Sequence, residues 1–320
     1  RVTKTKETLR KCDIAIFLIP DTILNNKEQL LEASKWFTLI KERAKTILAI
    51  NHFRNTTTGT IDIAKIFGTS DYIDIDIAQN QGRDEILKAI GFVQSQYQQE
   101  LSIVTHLVQP TDTVVLCMPQ DIQAPKGRLI QPQVQTIREL LDRGCTPICC
   151  TPDRMSQALA ALATPPQLII TDSQAFAEVY KLKPEASALT SFSILFARYK
   201  GDITLFTEGA KALDTLTASS RILIAEACTH TPQHEDIGRV KLPRLLRKRF
   251  GETLHIDIVS GSDYPEDLTP YELVIHCGAC MFNRKHVLSR IERARQQGVA
   301  ITNYGIVLAA LTGTLRHLSL

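Results

Sequence analysis

ILIAEACTH, residues 222–230, and ELVIHCGAC, residues 272–280, share one pattern: a short apolar run that reads as a β-strand and ends directly in cysteine. Between them, Leu242–Phe250 places Leu242, Leu245, Leu246 and Phe250 on one side and basic residues on the other, the spacing of an amphipathic helix. Strand, helix and strand in that order imply a parallel sheet with crossover connections. Both strands then end at the carboxyl edge, where open α/β sheets place their ligand sites. Two distant parts of the chain are expected to bring Cys228, Cys277 and Cys280 into one crevice.

Outward from this pair, the alternation runs through the whole chain. Strands read at Asp13–Ile19, Thr46–Ile50 and Tyr72–Ile77, then at Thr113–Met118, Thr146–Cys150 and Gln167–Thr171. The last third adds Arg221–Ala227, Leu254–Val259, Tyr271–His276 and Val299–Thr302. Helices read at Lys27–Arg43, Arg83–Gln96 (with Ile86, Leu87, Ile90 and Val93 on one stripe), Pro132–Arg143, Met155–Ala163, Ser173–Lys181 and Asn283–Gln297. The fold class is α/β: three small domains with mainly parallel sheets and flanking helices, cut at 1–97, 98–205 and 206–320. No fixed-period repeat is found.

The bulk numbers exclude several classes. An apolar fraction of 44% with 22% charged residues is that of an ordinary globular chain, not a disordered one. A net charge of +3 over 320 residues is too dilute to argue for nucleic acid. No apolar run is long enough to span a membrane, and no signal peptide is recognisable. Eight cysteines in such a chain read as reduced thiols of a reducing compartment, and the expected location is cytoplasmic. The chain begins with Arg1, so a native start upstream, and an organelle address there, stay open.

Thiolates are the usual ligands of iron–sulfur clusters. A Cys-x-x-Cys turn puts two sulfurs on one centre, and the helix beginning near Asn283 would aim its N-terminus at them. Three cysteines need a fourth ligand. Glu226 ranks first, because it lies two residues before Cys228 on the same strand face; His230 ranks second and His276, adjacent to Cys277, third. A structural zinc is the competing reading, since Cys, His, Cys and Cys make a good tetrahedral set. Cys145, Cys149 and Cys150, with Cys12 and Cys117, read as plain core thiols. The basic run Arg239, Lys241, Arg244, Arg247, Lys248 and Arg249 reads as the solvated face of its helix.

At these residues the sequence resembles the iron-iron hydrogenase maturation GTPase family, HydF. The resemblance lies in the Cys-x-His…His-Cys-x-x-Cys pattern and its flanks IAEACTH, DIGRVKLPR, SGSDYPEDL, HCGACMFNRKHVLSRI and ITNYGI. The middle block resembles it too, in APKGRLIQPQVQ, TDSQAF and LTSFSILFARYKGD. The resemblance implies a GTPase-like domain, a dimerisation domain and a cluster-binding domain, in that order. It implies a 4Fe-4S cluster on Cys228, Cys277 and Cys280, a homodimer, and a diiron precursor as cargo. Radical-SAM maturases and apo-hydrogenase are the implied partners.

The first block departs from the family. RVTKTKETLRKCDIAIFLI resembles the stretch after the second switch of these GTPases, but no G-x-x-x-x-G-K-[ST] loop occurs in the chain. Where an Asn-Lys-x-Asp guanine motif should follow the strand Thr46–Ile50, the chain reads Asn51-His52-Phe53-Arg54. Arg54 cannot accept the hydrogen bonds that an acidic residue takes from guanine. The first block is therefore expected to be an incomplete or degenerate G-domain in which GTP binding is doubtful, with a GTPase switch protein as the alternative reading of the whole chain.

Overall fold

The structure, a computed structural model, describes residues 5, 8–9, 12–52, 62–100, 102–104, 106–120, 127–227, 237–261, 263–279 and 282–319. Two compact units are formed by residues 1–101 and 102–320.

In the first unit, β1 (Ile14–Pro20), β2 (Lys45–Asn51) and β3 (Ile73–Ile75) pair in parallel in that order. Helix α1 (Lys27–Lys41) starts at Asn26, whose side chain accepts from the N–H groups of Glu28 and Gln29. Its Phe37 packs edge-on against Phe17 of β1 and against Phe67 of α2 (Ile63–Phe67). Helix α3 (Arg83–Glu100) turns Ile86, Ile90 and Val93 partly inward, but Leu87 is exposed, so the predicted apolar stripe is narrower than its sequence suggests.

The second unit holds two sheets that repeat one plan. The first has β4 (Thr113–Cys117), β5 (Thr146–Cys150), β6 (Leu168–Thr171) and β7 (Ala188–Ser191), in the order β5-β4-β6-β7. The second has β8 (Arg221–Ala225), β9 (His255–Val259), β10 (Leu273–His276) and β11 (Ala300–Asn303), in the order β11-β10-β8-β9. Strand lengths are 5, 5, 4 and 4 residues in both. All pairings are parallel, and the registers correspond: Val114 faces Leu168 as Ile222 faces Leu273. Helices α4 (Gln131–Asp142), α5 (Met155–Ala160), α6 (Phe176–Leu182), α7 (Phe192–Lys200) and α8 (Ile203–Ala210) serve the first sheet and the passage out of it. Helices α9 (Leu242–Phe250), α10 (Arg284–Gln296) and α11 (Tyr304–Leu311) serve the second.

The duplication has traces in the sequence that no fixed period reveals, because the connections differ in length. Gly127-Arg128-Leu129-Ile130-Gln131-Pro132 opens α4 as Gly238-Arg239-Val240-Lys241-Leu242-Pro243 opens α9. Thr190-Ser191-Phe192-Ser193-Ile194 passes from β7 into α7 as Thr302-Asn303-Tyr304-Gly305-Ile306 passes from β11 into α11. Ser191 and Asn303 cap these helices by accepting from the N–H groups of Ile194 and Ile306. The two helices meet at matching positions: a Cβ on Gly305 would lie 2.3 Å from Ser193 Oγ.

Both sheets are covered at one edge. On β7, Leu189 O accepts from Ser319 N and Thr190 Oγ1 donates to Ser319 O, so the C-terminal tail closes that side. On β11, α8 presses Gly209 against the strand backbone, where an added Cβ would lie 1.9 Å from Ile301 O. The opposite edges, β5 and β9, have no further main-chain partner among the described residues. On β5, Thr146 N and Cys150 O bond to the β4 side, which turns the main-chain groups of Pro147 and Cys149 outward.

Gly209→Ala forces helix and strand apart and is expected to lower unfolding free energy by about 3 kcal/mol. Gly91→Ala, mid-helix in α3 with nothing within 4 Å of the added methyl, is expected to stabilise its unit by about 0.5–1 kcal/mol. Denaturant unfolding of both variants measures the contrast.

Candidate metal-cluster site at the carboxyl edge of the second sheet

Strands β8 and β10 pair side by side and finish in register, His276 opposite Ala225. The chain leaves both strands at one point, the switch position of the doubly wound sheet, where β8 has neighbours reached in opposite directions. Cys277 is the first residue past β10, tied back by its N–H to Ala225 O at 3.0 Å. Its Sγ accepts from Ala227 N at 3.0 Å and from Ala279 N at 3.4 Å. Main-chain N–H groups aimed at sulfur favour the thiolate, the form that binds metal. The turn is tight, with Ala279 at φ 47° and Phe282 N bonded to Ala279 O. Asn283 then caps α10 by accepting from His286 N, as the sequence anticipates. Cys228, His230 and Cys280 lie outside the described residues, and among the described ones no three His, Cys, Asp or Glu groups converge to hold a metal.

His276 is fully buried, and both ring nitrogens are engaged. Nε2 lies 3.1 Å from an Nη1 of Arg290, which can only donate, so Nε2 accepts and the proton sits on Nδ1. Nδ1 then donates to Cys277 O at 2.6 Å. Burial, reinforced by the Arg290 charge, pushes its pKa down to about 3, so the imidazole is neutral. It works as a spacer between Arg290 and the cysteine turn.

Arg290 itself was not legible as a site residue. It occupies α10 on the same inward stripe as Val287, Ile291 and Ala294, and an arginine on an apolar stripe is the signal that could have found it. Its guanidinium donates to Glu226 O at 3.3 Å and Gly261 O at 2.6 Å, and lies over the Tyr264 ring at 4.6 Å. Lys200, from the end of α7, donates to Ala279 O and Phe282 O, each at 2.8 Å. Arg284 ties α10 back to the carbonyls of Tyr199 and Gly201. The cysteine turn is thus braced by the first sheet's last helix.

Glu226 is buried, and its Oε2 accepts from Arg239 at 3.1 and 2.9 Å through Nε and Nη2. Arg239 sits in a wide π-type turn, Ile237–Lys241, before α9. It stays exposed, as expected of the basic run, but its guanidinium is turned to the buried carboxylate. Gly238 allows this approach: a Cβ there would lie 2.1 Å from Tyr304 Oη and 2.8 Å from Glu226 Oε1.

The corresponding edge of the first sheet carries different chemistry. Thr171 and Asp172 stand where the second sheet has His276 and Cys277, and Gln133 Nε2 donates to Asp172 at 3.2 Å. Cys117 and Cys150 are register partners, and a thiol–thiol hydrogen bond raises Cys117 and lowers Cys150. Cys117 and Cys145 are core thiols as expected; Cys149 is exposed on the edge strand, because alternation turns it away from Cys150. In the first unit, Asn51 is buried and accepts from Ile77 N, while His52 bonds Asp74 at 2.7 Å. Phe53 and Arg54 lie outside the described residues.

A tandem pair of doubly wound sheets, with a thiol cradled at the switch point of the second, defines the class: a two-module α/β protein built around one thiol-bearing edge. Residues 103–201 match the family model for the hydrogen maturase F dimerization domain, and residues 204–319 that for its tetramerization domain. Together the matches cover well over half of the chain, which belongs to the hydrogenase maturase HydF family. Membership assigns it to hydrogenase maturation, and the matched domains are those of a self-associating protein. A search of the curated proteins found no match. No helix among the described residues is long and apolar enough to cross a membrane.

Arg239→Ala leaves the Glu226 carboxylate buried without its partner and is expected to cost about 2–3 kcal/mol. Adding Glu226→Gln should recover part of that loss, which a double-mutant cycle by denaturant unfolding at neutral pH will read.

Proposed function

We propose that this chain binds a 4Fe-4S cluster through Cys228, Cys277 and Cys280 and acts as the scaffold that carries a diiron precursor to apo-hydrogenase. The observation that supports this most is Cys277: a thiol at a switch point, cradled by two main-chain N–H groups and backed by a buried guanidinium. That donor set fits an anionic, thiolate-bound cluster. When bound, such a cluster offers one iron whose fourth ligand can exchange. Of the three candidates for that place, His276 has both nitrogens engaged and Glu226 Oε2 is held by Arg239, which favours Glu226 Oε1 or His230. A structural zinc is the alternative occupant of the same thiols.

On this reading, residues 206–320 are the cluster domain, 98–205 the dimerisation domain and 1–97 a partial G-domain. Radical-SAM maturases would supply the cargo. The compartment proposed is the cytoplasm.

Anaerobic reconstitution with iron and sulfide tests the site. Cys228→Ala, Cys277→Ala and Cys280→Ala are each expected to lose most of the bound iron, whereas Cys145→Ala and Cys149→Ala keep it. Zinc retained and iron refused by the wild-type chain would favour the structural-zinc reading.

Self-association is expected to use the uncovered edge β5. Its outward groups belong to Pro147, which lacks an N–H, and to Cys149, so Cys149 carries the outward donor. Cys149→Pro should shift the light-scattering mass toward the monomer while Cys149→Ser does not. An unchanged mass for the proline variant would move the interface elsewhere.

A further inference from the structure

Arg290 is only 4% exposed, and a guanidinium stays charged in a protein. Among the described residues, the groups it bonds or stacks on are neutral: the carbonyls of Glu226 and Gly261, the accepting nitrogen of His276 and the ring of Tyr264. Among the described residues it forms no ion pair with a carboxylate. The carboxylate of Glu226, whose carbonyl it holds, is turned to Arg239 instead. A buried cation without an anion is costly. The neighbouring Arg293 differs: it reaches the carbonyls of Tyr264 and Pro265, away from the cysteine turn. Burial pulls the pKa of Arg290 down, and the negative charge of Cys277 is the largest influence pushing it back up.

We propose that Arg290 is the buried counter-cation of the cysteine site, its charge balanced by the cluster-bearing thiolates. Through the Glu226 carbonyl and through His276, it also holds the ends of β8 and β10 where those thiolates must converge. This rests on the cluster reading above. Two consequences separate it from a packing role. In the metal-free protein a neutral side chain that keeps donors for the Glu226 and Gly261 carbonyls, as glutamine does, should still fold yet load less iron. In the loaded protein the charge favours the more anionic, reduced cluster and raises its reduction potential.

The test uses the full chain, reconstituted anaerobically with iron and sulfide, as wild type and as Arg290→Met, Arg290→Gln, Arg290→Lys and Arg293→Met. Iron content, the midpoint potential by EPR-monitored titration and the metal-free unfolding temperature are read for each. Arg290→Met and Arg290→Gln are expected to load less iron and to show a more negative midpoint. In metal-free form Arg290→Gln, which keeps amide donors, should unfold later than Arg290→Met, which leaves those carbonyls unpaired. Arg290→Lys should keep a potential near the wild type, and Arg293→Met should match the wild type in iron and potential. Neutral variants with wild-type loading and potential would overturn the proposal. So would a lysine variant shifted as far as the methionine one, or an Arg290→Gln variant already unfolded without metal. A wild-type chain that takes up no iron would sink the cluster reading itself, and this proposal with it.

Discussion

Where β8 and β10 end, main-chain groups leave a ladder in a buried place, and each of them needs a partner that no continuing strand supplies. Glu226 N reaches Val259 O and Gly261 N returns to Glu226 O, which keeps β9 in register just past the strand. Ala227 N finds its acceptor in the sulfur of Cys277. The second lone pair of the Glu226 carbonyl goes to Arg290. The carbonyl of Cys277 is met by His276, and that of Ala279 by Lys200. Satisfying the backbone and presenting the thiol are therefore one arrangement. Changing a side chain here disturbs main-chain pairing as well as chemistry.

The repeated architecture separates frame from function. The same strand order, strand lengths and helix-opening motifs occur twice, and the matching helices α7 and α11 pack at matching residues. What differs lies at the carboxyl edge. One copy has Asp172 held by Gln133 and Thr171 tied to the Cys117 carbonyl, and the other has Cys277 beside a His276 held by Arg290. A frame of apolar strands tolerates such exchange because each edge set finds its own hydrogen-bond partners. The first copy also sends Lys200 into the second copy's cysteine turn, which links the self-association module to the thiol site through one rigid helix.

The charge pattern follows from the same economy of contacts. Two arginines lie near the site in different states: Arg239 pairs with a buried carboxylate, and Arg290 has only neutral partners. Paired charges define position, because displacing either one exposes the other to a poor environment. A charge with neutral partners keeps its field available to whatever anion arrives. The first arrangement suits a structural clasp and the second a site meant to receive negative charge.

Much of this was open to reading in the chain alone. Strong alternation and helical periodicity placed the strands and most of the longer helices within a residue or two, though α3 runs on to Glu100 past its expected end at Gln96, and Cys-Gly-Ala-Cys after an apolar run marked the edge where the thiol stands. Such signals are local, so they survive without the fold. The short strand β7 and helices α7, α8 and α11 gave no clear period, because they are buried nearly all round or wedged against another backbone. The engagement of Glu226 by Arg239, the two bonds of His276 and the burial of Arg290 were likewise settled by the tertiary structure. Each depends on groups many residues apart meeting at hydrogen-bond distance. The sequence thus determined which residue types stand at the edge of the sheet. Only the packed structure decided which of them hold one another and which are left to meet a ligand, because that choice is made by long-range burial and geometry.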